Sequence, residues 1–151
     1  MVCKTPARIE DGVELYGLLQ PIQVKELRAS HGPCVQETIT TCIGRSEEAV
    51  AIRQDQKLLG VTGIVSHSIT GGAGSPWLLT TIHAPSYPKT VMKETRYYVN
   101  KWSEDYDLLI SFIDSRYEKA LRWAEWAGFT IHPPVPYGIN GELFNPIEIR
   151  R

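Results

Sequence analysis

The chain has 151 residues, with 16 Lys and Arg set against 17 Asp and Glu, and it is 42% hydrophobic and 22% charged. That length predicts one domain over residues 1–151, large enough to bury roughly two-thirds of its unfolded surface. The formal net charge of -1 argues against a general nucleic-acid binder, which needs a basic excess to neutralise phosphates. No apolar run approaches the roughly 20 residues that span a bilayer. The opening Met1-Val-Cys-Lys-Thr-Pro6 lacks the apolar stretch of a secretory leader, so a cytoplasmic location is expected. Cys3, Cys34 and Cys42 have no metal-type spacing; they read as reduced, mostly buried thiols, and no metal site is predicted.

In chain order, Val2–Ile9 reads as a first strand, near an edge because of Pro6. Asp11-Gly-Val-Glu14 has the spacing of a capping box with an acidic N-cap, and Leu15, Leu18, Leu19 and Ile22 follow at helical spacing. Pro21 should kink or divide that helix, whose second half stops near His31-Gly32-Pro33. Val35, Ile39, Cys42 and Ile43 form one apolar helical face ending at Gly44. Glu48–Gln54 and Lys57–His67 read as strands joined by a turn at Asp55-Gln56, with a bulge near Gly60 and Gly63. Ser68–Pro76 reads as a flexible loop and Trp77–Thr81 as a short strand. Pro85 and Pro88 exclude regular structure over His83–Tyr87. Val91, Thr95, Tyr98 and Trp102 keep a helical stripe, and Leu108–Ile113 is the continuous run of a covered central strand. Ser115-Arg-Tyr-Glu118 has capping-box spacing before a helix carried by Ala120, Leu121, Ala124 and Ala127 to Gly128. Phe129–His132 and Leu143–Ile149 are strands, with a stiff Pro133–Pro136 connection and an Asn140-Gly141 turn between them. The order β-α-α-β-β-β-α-β-α-β-β predicts an α/β (α+β) chain: a mixed six- to seven-stranded sheet flanked by about four helices.

This order resembles the GNAT (Gcn5-related N-acetyltransferase) superfamily. The most specific part is Leu108–Phe129, a strand followed by a helix with Ala on its buried face and then Gly128-Phe129 opening the next strand. Leu121-Arg-Trp, Gly128 and the Asn140-Gly-Glu-Leu-Phe144 hairpin look like the small GNAT-like proteins of T7-type tailed phages, some called internal virion proteins and others acetyltransferases. The resemblance implies acetyl-CoA as cosubstrate and an amine as acceptor.

It also implies three pieces of chemistry. A diphosphate cradle lies between the fourth strand and the following helix, where the family carries a Gln/Arg-x-x-Gly-x-Gly/Ala segment. Here His83-Ala-Pro-Ser-Tyr-Pro-Lys-Thr90 stands in that place, with no glycine and two prolines, leaving Lys89 and Thr90 to supply anion contacts. A splayed fourth strand pairs with the pantetheine arm, a role open to Trp77–Thr81, with Leu79, Thr80 and Thr81 as the cofactor contacts. A tyrosine four residues before the Gly of Gly-Phe protonates the leaving thiolate in many members; Ala124 occupies that position, and Tyr117 is its displaced substitute. His67 and His83 flank the implied cleft and titrate in the range of a base, with His83 as the catalytic candidate.

Two readings follow. One is acetyl transfer to an amine. The other is a GNAT-fold protein without turnover, serving as a phage virion or assembly component or acting on a host protein, in the host cytoplasm or the virion. The remaining constellations point elsewhere. Gly71-Gly-Ala-Gly74 lacks the Lys-Ser/Thr and the helix of a phosphate loop and reads as a hairpin loop. His31 and Cys34 read as helix-end residues rather than metal ligands. Trp102 and Trp123 read as helix-on-sheet packing, Trp126 as an exposed interface anchor, and Lys93, Arg96 and Lys101 as a solvated basic face.

Overall fold

The computed structural model describes residues 1–67 and 72–151. Its strands are β1 (Val2–Pro6), β2 (Glu48–Gln54), β3 (Lys57–Ser66), β4 (Ala73–Thr80), β5 (Leu108–Asp114), β6 (Thr130–Ile131), β7 (Val135–Pro136) and β8 (Leu143–Arg150). Its helices are α1 (Ile9–Leu18), α2 (Pro21–His31), α3 (Val35–Arg45), α4 (Pro88–Asp105) and α5 (Glu118–Trp126), with one 3-10 turn at Ala84–Ser86. The strands form one eight-stranded sheet in the order β1-β2-β3-β4-β5-β8-β6, and β7 also pairs with β8. All neighbours run antiparallel except β4 and β5. The mixed architecture is the expected one. The strand count exceeds the prediction because Val135–Pro136, read as part of a stiff connection, pairs with β8 as β7, while the predicted Phe129–His132 strand is reduced to the two residues of β6.

Both faces of the sheet are covered. Leu15, Leu19, Leu27, Val35 and Ile39 of the α1–α3 side pack on Ala51, Leu58, Val61 and Leu79. Tyr98, Val99, Trp102 and Ala124 of α4 and α5 pack on Ile52, Leu59, Leu109, Ile113 and Ile147. Each large apolar side chain removed from water in these layers is worth about 1.5–3 kcal/mol before entropy is counted. Trp102 is buried, yet its indole N–H donates to Glu48 at 2.9 Å, so no polar group is stranded.

Several local signals operate differently from the expectation. Asp11 is not the N-cap of α1 but the residue three positions after Arg8, whose backbone N–H donates to its carboxylate at 2.9 Å. Ser115 does not cap α5; the helix starts at Glu118, and the Ser115 hydroxyl donates instead to Asn145 at 2.7 Å. α3 runs through Gly44 to Arg45, because helical φ/ψ costs glycine entropy but no strain. β4 begins at Ala73, so residues 73–76 belong to a strand rather than to the predicted loop; residues 68–71, including Gly71 of the glycine run, lie outside the described residues. The cysteines are free but not buried: Cys3 lies on the exposed edge strand, Cys34 precedes α3, and Cys42 sits half-buried at the margin of its helical stripe. The basic face of α4 is exposed as expected, and two of its three residues also meet a partner. Arg96 lies 4.5 Å over the ring of Trp126, which is 42% exposed, and Lys101 pairs with Glu48 at 3.0 Å. Two punctuation marks fall as expected. Gly128 follows α5 with φ +107°, a conformation that side chains resist. The β2–β3 register slips at Ile52/Arg53, placing the bulge beside Gly60, where a Cβ would stand 2.6 Å from Leu79 O.

Pro21 shapes the part of the fold that matters most for function. The residue before a proline avoids helical ψ. Gln20 is accordingly extended, with ψ 138°, Leu19 before it is extended too at ψ 137°, and Pro21 opens α2 as its first residue. The extended pair lies along the end of β4: Leu19 bridges Thr81, Gln20 N–H donates to Thr80 O at 3.2 Å, and Ile82 N–H donates to Leu18 O at 2.9 Å.

Candidate active site

β4 has two unlike edges. Against β3 it is paired along seven positions, from Gly60↔Thr80 to Ser66↔Gly74. Against β5 it is paired only at Ala73↔Leu108 and Gly74↔Leu109. The Ser75 hydroxyl reaches Ile110 O at 2.7 Å, and beyond that point the two parallel strands separate into a wedge. Thr81 N–H donates to Leu59 O, so the odd residues of β4 turn their main-chain groups to β3 and the even ones turn theirs to the wedge. Leu78 and Thr80 therefore present their N–H and C=O groups inside it. On the opposite arm the wedge-facing residues are Phe112 and Asp114.

The wedge is lined from α2. Gln23, 3% exposed, donates from Nε2 to Leu78 O at 3.1 Å, and its Oε1 accepts from Thr80 N–H at 2.6 Å and from the Thr80 hydroxyl at 3.0 Å. Gln20 Nε2 adds bonds to Thr80 Oγ1 at 2.8 Å and Thr81 O at 3.2 Å. Glu26, one turn beyond Gln23, accepts from Asp114 N–H at 2.9 Å. Burial raises the Glu26 pKa to about 7; the Asp114 amide and Arg116 pull it down while the Asp114 charge pushes it up. Burial pushes the Asp114 carboxyl up as well, but Arg116 grips it through Nε at 2.9 Å and Nη2 at 2.6 Å and holds it below the usual range.

Tyr117, the residue before α5, carries its hydroxyl to Thr80, and burial, with the charge of Glu26 added, raises its pKa. A phenol, a carboxyl that changes charge near neutrality and two carboxamides thus meet at the C-terminal end of β4. Such a set is able to orient an acyl group and move a proton at its carbonyl. On the α4 side of the same strand, Ile52, Leu59, Gly60, Leu78, Thr80, Val91 and Thr95 line a depression too shallow to hold a water molecule.

The residues singled out from the sequence are dispersed around this centre. Thr80 is at its heart. Leu79 and Thr81 are odd residues of the strand: Leu79 is in the α1–α3 core, and the Thr81 hydroxyl donates to Leu58 O at 2.6 Å. Tyr117 joins the centre, whereas Ala124 is fully buried in the opposite core layer. His83 sits half-buried in the turn just beyond β4, its N–H on the Thr81 hydroxyl at 3.1 Å. His67 lies at the other end of β4, its ring bonded to the Ser75 hydroxyl where the strands are still joined, so the two histidines do not flank one cleft. At the start of α4, Pro88 has no N–H and Val91 N–H is spent on Tyr87 O, which leaves the amides of Lys89 and Thr90 facing outward. Lys89 is exposed, and the Thr90 hydroxyl is committed to Gln54. Gln20, Gln23, Glu26 and Asp114 escaped the sequence reading, and Leu78 entered it only as part of the Trp77–Thr81 strand. The available signal was Gln23, a polar residue on the same helical face as Leu27.

Among the described residues no group of three His, Cys, Asp or Glu side chains is arranged to hold a metal ion, and no helix is long and apolar enough to cross a membrane. His31 and Cys34 are helix-end residues, with His31 Nδ1 2.7 Å from the Ser30 hydroxyl.

No protein-family model matches the sequence, and no curated protein matches it. Solved structures do. The fold is that of the GNAT acetyltransferases, and it is shared over nearly the full length of the chain. A chimera of the Vibrio cholerae spermidine N-acetyltransferase SpeG and hSSAT superposes with TM-score 0.73 at 12% identity, covering 99% of this chain and 95% of that one. The aminoglycoside acetyltransferase AAC(6')-Ib, in complex with coenzyme A, gives TM-score 0.71 at 17% identity over 100% and 95% of the two chains. YncA of Salmonella typhimurium, solved with acetyl-CoA, gives 0.69 at 9% identity over 99% and 93%.

Proposed function

We propose that the chain is an acyl-CoA-dependent N-acetyltransferase of the GNAT type. One observation carries the reading: the wedge edge of β4 holds a carboxamide between Leu78 O and Thr80 N–H. That carboxamide belongs to Gln23 and is a stand-in, since a pantetheine arm is itself built from amides with the same donor and acceptor. The site therefore fits acyl-CoA at its arm, and more thinly at its diphosphate, where Lys89 and the amides of Lys89 and Thr90 are the contacts. When bound, acyl-CoA supplies an acyl group activated as a thioester.

The chain's own residues divide the remaining work. Leu78 and Thr80 orient the arm. His83, just past the strand, accepts the proton of the attacking primary amine as the C–N bond forms. Tyr117, beside Thr80, delivers a proton to the sulfur as the C–S bond breaks. Spermidine and aminoglycosides, the acceptors named for the similar structures, are the first amines to try.

A second reading, favoured by Pro85 and Pro88 in the cradle and by Ala124, is a GNAT-fold interaction protein without turnover. Its partners would be phage structural or host proteins, a source suggested by the Asn140–Phe144 hairpin. A thermal-shift titration with acetyl-CoA separates the two. Ligand at about 100 times its dissociation constant adds roughly 2.7 kcal/mol, a rise of several degrees in Tm. No shift at millimolar acetyl-CoA leaves only the second reading.

A further inference from the structure

We infer that α2 latches the wedge: Gln23 fastens it to the β4 arm and Glu26 to the β5 arm, so acyl-CoA enters only when Gln23 releases Thr80. The inference rests on the acyl-CoA reading above and adds to it a resting state in which the arm's place is already filled.

The i, i+3 spacing of Gln23 and Glu26 puts both side chains on one face of α2. From there they reach opposite arms, Gln23 to Leu78 and Thr80 and Glu26 to the Asp114 amide. Leu78 O has two lone pairs and is able to serve two donors. Thr80 has a single amide hydrogen, aimed at Gln23 Oε1 at 2.6 Å. A ligand carbonyl and Gln23 therefore exclude one another at that atom. The exchange replaces one amide acceptor by another, so little is lost at Thr80; the cost falls on Gln23, whose buried carboxamide must find other partners. The extended Leu19-Gln20 pair, held along the end of β4, and Gly32, at φ +98°, are the non-helical residues that bound the helix on either side.

Truncating Gln23 removes the competitor and leaves Thr80 N–H unpaired in the ligand-free protein alone. A ligand that pairs it then gains affinity by linkage. The test is calorimetric titration of the full chain with acetyl-CoA, using wild type, Gln23→Ala and Gln23→Leu, the last keeping most of the volume so that a folded variant is in hand. Both variants should bind at least about tenfold more tightly, the size expected when a buried hydrogen bond need not be broken. Equal or weaker binding overturns the latch. Nuclear magnetic resonance of the wild type gives a second readout. At saturating acetyl-CoA the Gln23 side-chain amide signals should move while the Thr80 amide stays protected from exchange. Binding with those signals unmoved removes the latch and leaves the transferase reading standing. No binding by any of the three forms removes both.

Discussion

The two edges of β4 behave as different materials. Toward β3 the strand is zipped along its whole length, and Leu79 and Thr81 turn their main-chain groups and side chains into a sealed interior. Toward β5 the same strand is joined for two residues and then released, and its groups are answered by side chains from α2 rather than by a neighbouring strand. A ladder bond lost in the zipped edge breaks a cooperative array. A side-chain bond in the wedge is a replaceable contact. One strand thereby supplies rigidity on one side and a negotiable surface on the other.

That contrast orders the effects of substitution. Leu58→Ala, on the zipped side and fully buried, should cost about 2–5 kcal/mol in urea unfolding and leave the acetyl-CoA affinity of the remaining folded protein unchanged. Thr80→Val removes the hydroxyl shared by Gln20, Gln23 and Tyr117; it should cost about 1–3 kcal/mol and also change acetyl-CoA binding. If both variants lose stability and neither touches binding, the distinction between the edges fails. Lys89→Ala, exposed and outside both edges, should alter Tm little and weaken acetyl-CoA about tenfold, or ~1.4 kcal/mol. An unchanged affinity there would relocate the diphosphate.

The last effect is a slope with pH. Glu26 has its pKa raised from 4.5 to about 7, so the folded state holds its proton where the unfolded state has lost it. Its contribution is complete below pH 4.5 and disappears as pH rises through about 7. Stability should therefore fall across that window, by at most ~1.4 kcal/mol per pH unit from one proton. Glu26→Gln should flatten the slope in Tm measured against pH. Asp114, held low by Arg116, acts in the opposite sense, losing its contribution only as pH falls through its depressed pKa, below that window; His31, whose pKa burial lowers, opposes the Glu26 slope within it.

What was legible in the sequence followed from periodicity and punctuation. Pro21 divided a helix, Gly128 ended one, and the Val91–Trp102 stripe and the Leu108–Ile113 run found the core. What was not legible followed from pairing across distance. Asp11 and Ser115 carry the right residue types for N-caps, yet the chain enters its helices elsewhere and spends those side chains on other partners. For the site, the location of β4 was visible but its parity was not, because facing depends on a register set by β3. Thr80 was therefore grouped with Leu79 and Thr81, which face the other way. Gln23 and Glu26 were invisible as site residues because nothing local tells a helix which strand its polar side chains will meet 55 and 88 residues later.

Pro21 carries one more consequence. Without a ring at that position, Gln20 would lose the clash that bars helical torsions, and α1 and α2 would merge into a single rod by giving up the pairs that Leu19 and Gln20 make with the end of β4. The seam along Thr80–Ile82 would then lose its cover, and the two side chains that bridge the gap would be carried away from it. A single imino acid thus acts as the hinge pin of the door, and any relative whose rod is unbroken would be expected to stand permanently ajar.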